Sequence, residues 1–276
     1  MIVPIVPLVL LAGALGWYRS GQRSNTDQPP GEPGAPTQAR TRSDTNHIAW
    51  AEPIADEHVL RGNYVFEQNC AVCHGRRGDG RGDMAEGMRP KPRKLTLGIF
   101  KFRSTPTGTL PTDADLERTI LRGIANSSMP TFAHLPARDV TALVAFLKTL
   151  SPRWRERQNI APALVLPTEP SWLYDETARR PHQEAGRTLF AQQCAVCHGV
   201  AGDGKSELAA QLQDISEEPC PPADLTQPAF KAGAEPSEVF RVLATGLDGT
   251  PMPSFRDGLK DESLWDLVAY VRSLRP

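Results

Sequence analysis

The chain has 276 residues, of which 39% are hydrophobic and 23% are charged, and its formal net charge is -1. This length allows one or two domains together with a short additional segment. The balanced charge gives no basis for nucleic acid as a partner, because proteins that bind it carry a clear basic excess. The 22 glycines and 26 prolines indicate many loops and turns.

The chain begins with an uncharged apolar run, residues 2–18, which Arg19 follows. This run is near the lower length limit for a membrane-spanning helix and is longer than a usual signal-peptide core. Trp17 and Tyr18 are typical of a helix end at a membrane interface. We therefore predict a membrane anchor over residues 1–19, with a removed signal sequence as the alternative.

Residues 20–50 are predicted to form a disordered linker. The stretch QPPGEPGAP, residues 28–36, has no apolar periodicity and cannot contribute to a core. If the anchor stays in place, this linker lets the globular part move relative to the membrane.

The rest of the sequence contains one pattern twice. The run CAVCHG occupies residues 70–75 and returns at residues 194–199, an offset of 124. A Met-Pro dipeptide follows at Met129 and again at Met252, an offset of 123, and similar apolar segments end both copies. Because the offset holds over such a length, one folding unit is used twice.

Each unit is predicted to be mostly helical, so the expected fold class is all-α. The predicted boundaries are 51–150 for the first domain, 151–181 for a stiff proline-rich strap and 182–276 for the second domain. In each domain a first helix leads into the cysteine motif, and a last helix has an apolar i, i+3, i+4, i+7 stripe. Gly62 and Gly186 are predicted to let the last helix cross close to the first.

A middle helix is expected between these two. It is predicted from Asp113 to Gly123 and from Pro236 to Gly246, since a glycine marks a helix end. Asp113 and Ser237 are the candidates to cap the first turn.

Both C-x-x-C-H motifs predict covalent haem attachment. Two thiols at this spacing can add to the haem vinyl groups, and the adjacent histidine is then held as an iron ligand. A redox C-x-x-C or half a zinc site is the alternative, but these need a βαβ context or further ligands that the sequence lacks. The candidate residues for two haem c groups are Cys70, Cys73 and His74 in the first unit and Cys194, Cys197 and His198 in the second.

Met129 and Met252 are the candidate ligands for the other face of each iron. They follow the motif histidines by 55 and 54 residues, in turn-rich stretches after the middle helices. The duplicated Met-Pro-Thr/Ser-Phe context favours ligation over a packing role. His134 competes in the first unit but has no counterpart in the second. A thioether ligand favours reduced iron and raises the potential.

These motifs resemble the class I cytochromes c, in particular the tandem dihaem cytochromes c of bacterial respiratory chains. The resemblance covers residues 55–276 and implies two tandem class I cytochrome c domains. It also implies that a proline carbonyl after the motif orients the histidine. By similarity this is Pro90 or Pro92 in the first domain and Pro221 or Pro222 in the second.

The resemblance implies an electron carrier and not an enzyme. Two haems with His/Met ligation leave no open iron position for a substrate, and no Ser/His/Asp or paired-carboxylate arrangement stands out. Single electrons would pass between a membrane quinol-oxidising or dehydrogenase complex and a terminal oxidase or reductase. The implied location is the periplasmic side of the bacterial cytoplasmic membrane, with attachment through the N-terminal segment.

Two alternatives stay open. One is a dihaem enzyme such as a thiosulfate dehydrogenase, which by resemblance uses a cysteine as a haem ligand, and Cys220 is the one cysteine outside the motifs. The other is a cytochrome subunit of a larger oxidase or dehydrogenase complex.

Charge is distributed unevenly between the two domains. Basic residues cluster between Arg76 and Arg103, after the first motif, whereas the second domain has an acidic excess. This asymmetry predicts an acidic partner for the first domain and a basic partner for the second.

Overall fold

A computed structural model of the protein describes residues 56–275, which belong to one compact unit. The anchor predicted over 1–19 and the linker predicted over 20–50 lie outside the described residues. Between residues 56 and 275, no helix is both long enough and apolar enough to cross a bilayer. The strand-like pairing in this part of the chain is one isolated bridge, Gln213 with Pro219. The predicted all-α fold is confirmed.

Each repeat has four α-helices in the same order: a first helix, a one-turn helix with the cysteine motif, a middle helix and a last helix. Those of the first repeat are α1 (Glu57–Asn69), α2 (Ala71–His74), α3 (Asp113–Arg122) and α4 (Ala137–Thr149). Those of the second repeat are α5 (Glu176–Gln193), α6 (Ala195–His198), α7 (Pro236–Thr245) and α8 (Asp261–Ser273).

The first and last helices of each repeat cross at a glycine, as predicted. A Cβ added to Gly62 in α1 would lie 2.0 Å from the backbone oxygen of Ala142 in α4. A Cβ added to Gly186 in α5 would lie 2.0 Å from the backbone oxygen of Asp266 in α8. The backbones therefore approach so closely that no side chain fits between them.

Aromatic pairs fill the space beside both crossings. The ring centroids of Phe66 and Phe146 are 5.2 Å apart, and those of Phe190 and Tyr270 are also 5.2 Å apart. Both pairs are tilted, and their centroid separation lies within the range that aromatic pairs adopt in protein cores. Because the same pair recurs at the same spacing, the two helix crossings are packed in the same way.

The middle helices begin differently from the prediction. Thr112 caps α3: its side chain accepts the backbone N–H of Asp115, whose carboxylate accepts the backbone N–H of Thr112. Asp113 is therefore the first helical residue and not the cap, because a cap must precede the first free N–H groups. Ser237 does not cap α7 either, and its own N–H donates to the carboxylate of Glu169, before α5. Both helices end at the predicted glycines.

The segment between the repeats is shorter than the predicted strap over 151–181. Helix α5 begins at Glu176, six residues before the predicted boundary at 182, because the Asp175 side chain caps it and Pro181 is accommodated inside it. The other domain boundaries stay predictions. Before α5, the segment contains three 3-10 turns, at Pro152–Arg155, Arg157–Asn159 and Ser171–Tyr174.

Two loops differ in length between the repeats. Loop A, residues 102–112, precedes α3, and its counterpart before α7 consists of residues 232–235 alone. Loop B, residues 205–222, follows α6, and its counterpart after α2 is the shorter segment 81–92. The two differences in loop length nearly cancel. The spacing from histidine to methionine is therefore almost the same in the two repeats and does not reveal them.

Loops A and B form contacts between the repeats. The buried guanidinium of Arg103 in loop A lies 2.8 Å from the carboxylate of Asp248 in the second repeat. The carboxylate of Asp214 in loop B lies 3.7 Å from the guanidinium of Arg93 in the first repeat. Each repeat thus uses its own additional residues to bind the other.

Candidate metal centres

Each motif histidine is fixed by a backbone carbonyl. Nδ1 of His74 lies 3.1 Å from the oxygen of Arg93, and Nδ1 of His198 lies 3.1 Å from the oxygen of Ala223. Because a carbonyl can only accept, Nδ1 carries the proton and Nε2 keeps a lone pair for a metal. Burial lowers the pKa of both imidazoles, although the carbonyl partly opposes this. They therefore stay neutral, as metal ligands must.

The prediction that a proline carbonyl orients each histidine is wrong by one residue. Pro92 and Pro222 directly precede the two residues that supply the carbonyls. Their own oxygens face Gly80 and Gly204, 2.8 and 3.0 Å from where an added Cβ would lie. Neighbouring carbonyls along an extended backbone point to opposite sides, so the next one faces the histidine. The other two candidates, which make no such bond within residues 56–275, are Pro90 and Pro221.

Burial dominates the environment of the first cysteine in each motif. Burial, reinforced by the neighbouring Cys73, raises the pKa of the Cys70 thiol to about 12. Burial and Cys197 raise the pKa of Cys194 to about 11. A redox C-x-x-C needs a lowered thiol pKa instead. Within the described part of the chain, no group of three or more His, Cys, Asp or Glu side chains is arranged to hold a metal ion.

Met129 and Met252 lie in loops that have the same hydrogen bonds. The carbonyl of each methionine accepts a backbone N–H at 3.0 Å from five residues earlier. The N–H of each methionine donates at 3.2 Å to a hydroxyl two residues earlier. Sequence reasoning missed these hydroxyls, although the repeated Ser/Thr-x-Met pattern could have indicated them. The partners are Ile124 and Ser127 in the first repeat and Leu247 and Thr250 in the second.

Both methionine loops close against the glycine that ends the middle helix. Gly123 and Gly246 have φ values of 68° and 64°, in the left-handed region. An added Cβ would lie 2.5 Å from the carbonyl carbon of Pro130 in one loop and 2.6 Å from the nitrogen of Ser254 in the other. Glycine is therefore required at both positions, for conformation and for space. Each half-buried methionine therefore lies on a loop whose backbone conformation is fixed by these contacts.

The two sites fit haem c. Each offers two thiols and a neutral imidazole with a fixed ring, and the methionine predicted from the sequence would complete the donor set of a His/Met cytochrome. Haem also brings carboxylates, which are acceptors for buried donors. Four buried donor atoms have no partner between residues 56 and 275: Trp154 Nε1, Arg241 Nε, Arg256 Nη1 and Arg275 Nε.

Comparison with known families supports this interpretation. The family model described as "Cytochrome c" matches residues 183–275. The model described as "Cytochrome C oxidase, cbb3-type, subunit III" matches residues 57–147. The cbb3-type cytochrome c oxidase subunit CcoP of Azospirillum sp. (strain B510) is 26% identical over 77% of this chain. The match covers 61% of that relative, so the chain spans about three fifths of its length.

Two further similar proteins have names of different kinds, one an enzyme and one a chain of a larger complex. A thiosulfate dehydrogenase of Psychrobacter arcticus is 27% identical over 53% of this chain and 39% of its own length. Among solved structures, a chain of the Kuenenia stuttgartiensis reducing HAO-like protein complex is 38% identical, with a TM-score of 0.74. That match covers 78% of this chain and 96% of the other.

Proposed function

The chain belongs to the tandem dihaem class I cytochromes c, and we propose that it relays single electrons between two respiratory redox partners. Its two covalent haem c groups supply the one-electron chemistry when bound. The equal geometry of the two motif histidines, each 3.1 Å from a backbone oxygen, carries this proposal. We assign thioether attachment to Cys70, Cys73, Cys194 and Cys197, and iron ligation to His74, Met129, His198 and Met252.

The protein's own contribution is to hold in place the side chains that would bind each haem iron. The carbonyls of Arg93 and Ala223 hold the two imidazoles in one tautomer and one orientation. The methionine loops close against Gly123 and Gly246. If His74, Met129, His198 and Met252 bound the two irons, they would leave no position for a substrate, and a rigid site would need little rearrangement when its charge changes. Such a site is suited to electron transfer.

We propose that the partners are a membrane quinol-oxidising or dehydrogenase complex and a terminal oxidase or reductase. The proposed location is the periplasmic side of the bacterial cytoplasmic membrane, with attachment through residues 1–19. One relative is named as an oxidase subunit, and another is a chain of a larger complex. Both names support the proposal that this chain transfers electrons as part of a larger redox assembly, or in contact with one.

Thiosulfate dehydrogenase is the second candidate, because one relative bears that name. In that case Cys220 would have to reach an iron. It lies in loop B near Arg93 and Lys101, whose pKa values are lowered by burial, an effect that the neighbouring Cys220 partly opposes. Its N–H donates to the carbonyl of Leu212 at 2.8 Å. This position at the contact between the repeats, beside the residue whose carbonyl binds His74, supports the electron carrier.

A redox titration of the purified full-length protein, followed by visible absorption, tests the proposal. We expect two one-electron steps and no reduction of either haem by thiosulfate under anaerobic conditions. The Cys220→Ser variant should behave as the wild type does. Thiosulfate-dependent reduction that disappears in Cys220→Ser would identify the protein as the enzyme instead.

A further inference from the structure

Arg103 is a buried charged residue that reaches from the first repeat into the second. Its Nη2 donates to the carbonyl of Thr245 at 2.8 Å and to the carboxylate of Asp248 at 2.8 Å. Its Nη1 lies 3.4 Å from the carbonyl of Gly246. All three acceptors lie at the end of α7 or directly after it.

Charge explains why a guanidinium is stable in this position. The last carbonyls of a helix form the negative end of its dipole, which favours a cation. The Asp248 carboxylate supplies a full opposite charge, and charge-assisted hydrogen bonds offset the cost of removing both groups from water. Arg103 is therefore satisfied only while the end of α7 stays in place.

Other groups of loop A bind the same stretch. The Thr107 hydroxyl donates to the carbonyl of Thr245 at 2.8 Å, and the N–H of Gly108 donates to the Asp248 carboxylate at 2.9 Å. Loop A thus makes five hydrogen bonds to residues 245–248. No counterpart exists in the second repeat, whose equivalent loop is too short.

Residues 245–248 are the base of the loop that carries Met252. The N–H of Leu247 donates to the carbonyl of Met252 at 3.0 Å, which closes the loop. Gly249, inside the loop, packs against the first repeat: an added Cβ would lie 3.0 Å from Ile99 and 3.3 Å from the Arg93 guanidinium. The first repeat therefore holds both the base and the inner side of the Met252 loop.

The Met129 loop has fewer contacts with the other repeat: the side-chain amide of Asn126 donates to the carbonyl of Ala229 at 3.1 Å. Among the described residues, the backbone of its base, residues 122–125, accepts no hydrogen bond from the second repeat. The side chain of Arg122 does approach Glu235 and Glu238, at 3.6 and 3.5 Å, but it is 49% exposed. Glu235 is exposed as well, and Glu238, although buried, has a closer partner in Arg241, so the contribution of Arg122 is small. The support between the repeats is therefore unequal, and the base of the Met252 loop is held by more hydrogen bonds than the base of the Met129 loop.

We propose that Arg103 is a positioning residue through which the first domain holds the distal-ligand loop of the second haem. This inference rests on the proposed ligation by Met252. Loss of Arg103 frees the base of the loop, so the Met252–iron bond weakens while the Met129–iron bond does not.

Imidazole binding to the full-length holoprotein tests this inference, because imidazole competes with the methionine for the iron. In Arg103→Met we expect imidazole to bind the second haem about tenfold more tightly, the effect of one lost charge-assisted hydrogen bond. The first haem should be unchanged. The ligated methionine methyl resonances, assigned with Met129→Ala and Met252→Ala, report each haem separately.

Two further variants complete the experiment. Arg122→Met, the matched control, should change neither haem by more than about twofold. Thr107→Val removes one hydrogen bond from an exposed side chain, so it tests the inference even if Arg103→Met does not fold, and imidazole should bind the second haem about threefold more tightly. Equal changes at both haems, or none at the second, would overturn the inference. A second methionine resonance that survives in Met252→Ala would instead refute the ligation, and the inference with it.

Discussion

At the scale of single residues, the two methionines should set the redox properties. Replacing Met129 by His should lower the potential of the first haem, because imidazole favours ferric iron more than a thioether does. Met129→Ala should remove about half of the methionine-to-iron charge-transfer absorption, since one of two equivalent sites is lost. Met84, which is 57% exposed and has no counterpart in the second repeat, is the control, and Met84→Ala should change neither quantity. Unchanged absorption in Met129→Ala would remove Met129 from the site.

Asp115 should make the stability of the first domain depend on acid pH. Burial alone raises its pKa, but hydrogen bonds from Ser104 and Thr112 and the charge of Arg118 outweigh burial, and the pKa is lowered. A carboxyl with a lowered folded pKa stabilises above its unfolded value, near 4 (about 3.9 in model peptides), and this stabilisation is lost as the pH falls through the folded value. Asp115→Asn should therefore cost about 1–3 kcal/mol at neutral pH.

Urea unfolding at pH 7 and at pH 3, followed by circular dichroism, checks this prediction. The difference between wild type and Asp115→Asn should shrink at the lower pH, where the wild-type carboxyl begins to protonate. The exposed Asp113 in the same helix provides the control, and Asp113→Asn should cost less than about 1 kcal/mol. A difference that is the same at both pH values would contradict the role assigned to the charge.

The sequence predicted the cysteines and histidines because covalent haem attachment requires a fixed spacing. It did not predict the carbonyls of Arg93 and Ala223. A backbone carbonyl has no sequence signal of its own, and its direction depends on how the whole loop runs. The cap of α3 was missed for a different reason: Asp113 and Thr112 are both good capping residues, and only the backbone shows which one comes before the first free N–H groups.

At the scale of elements, the two glycine crossings should be the most sensitive points of the helix packing. Gly62→Ala and Gly186→Ala each place a methyl group 2.0 Å from a backbone oxygen, which cannot move as a flexible side chain can. The gain in helix propensity, about 1 kcal/mol, offsets only part of this strain. We expect each variant to lose about 2–3 kcal/mol of unfolding free energy, measured by urea denaturation.

Gly87→Ala is the matched control for these variants. An added Cβ at Gly87 meets no atom within 4 Å, so this variant should be neutral or slightly more stable. If Gly62→Ala were equally neutral, the helices would have to separate without cost, and the close crossing would not matter for stability.

The beginning of α5 could not be predicted from the periodicity of apolar residues. The apolar stripes of α4 and α8 were readable because buried positions recur at helical spacing. Pro181, in contrast, indicated the end of a strap, yet it lies inside a helix. The next residue, His182, stacks on Trp172 with 3.6 Å between ring centroids, and its Nδ1 lies 2.7 Å from the Asp266 carboxylate. These contacts between distant residues support the helix around the proline. The local sequence pattern does not predict them.

At the scale of the whole molecule, part of the basic cluster after the first motif faces inward. Arg93 and Arg103 bind the second repeat, so they are not available to an acidic partner. Net charge along a sequence does not distinguish a solvated cation from one that joins two domains. The basic residues of this cluster that are exposed are Arg76, Arg77, Arg81 and Arg89.

These exposed arginines should steer one redox partner. The position of Arg76 is occupied in the second repeat by Val200, which is 85% exposed, so the two haem sites present different surfaces. Reversing Arg76, Arg77 and Arg81 to Glu should slow electron exchange with an acidic partner several-fold, about 3 to 10 times, at low ionic strength. Stopped-flow kinetics with each partner would measure this effect. The difference should fade as salt is raised, and equal slowing with both partners would contradict one-sided docking.

Loops A and B have a consequence for how the duplicated domain can assemble. Two identical domains can pair in two ways: through the same surface on both, or head to tail, which leaves surfaces free for further copies. Here loop A belongs to the first copy and loop B to the second, so the additional residues lie at different places in the two copies. Each loop contacts a surface of the other copy. Two first domains, or two second domains, would each lack half of the contact. The copies are therefore no longer interchangeable, and their order along the chain determines which haem site supports the other.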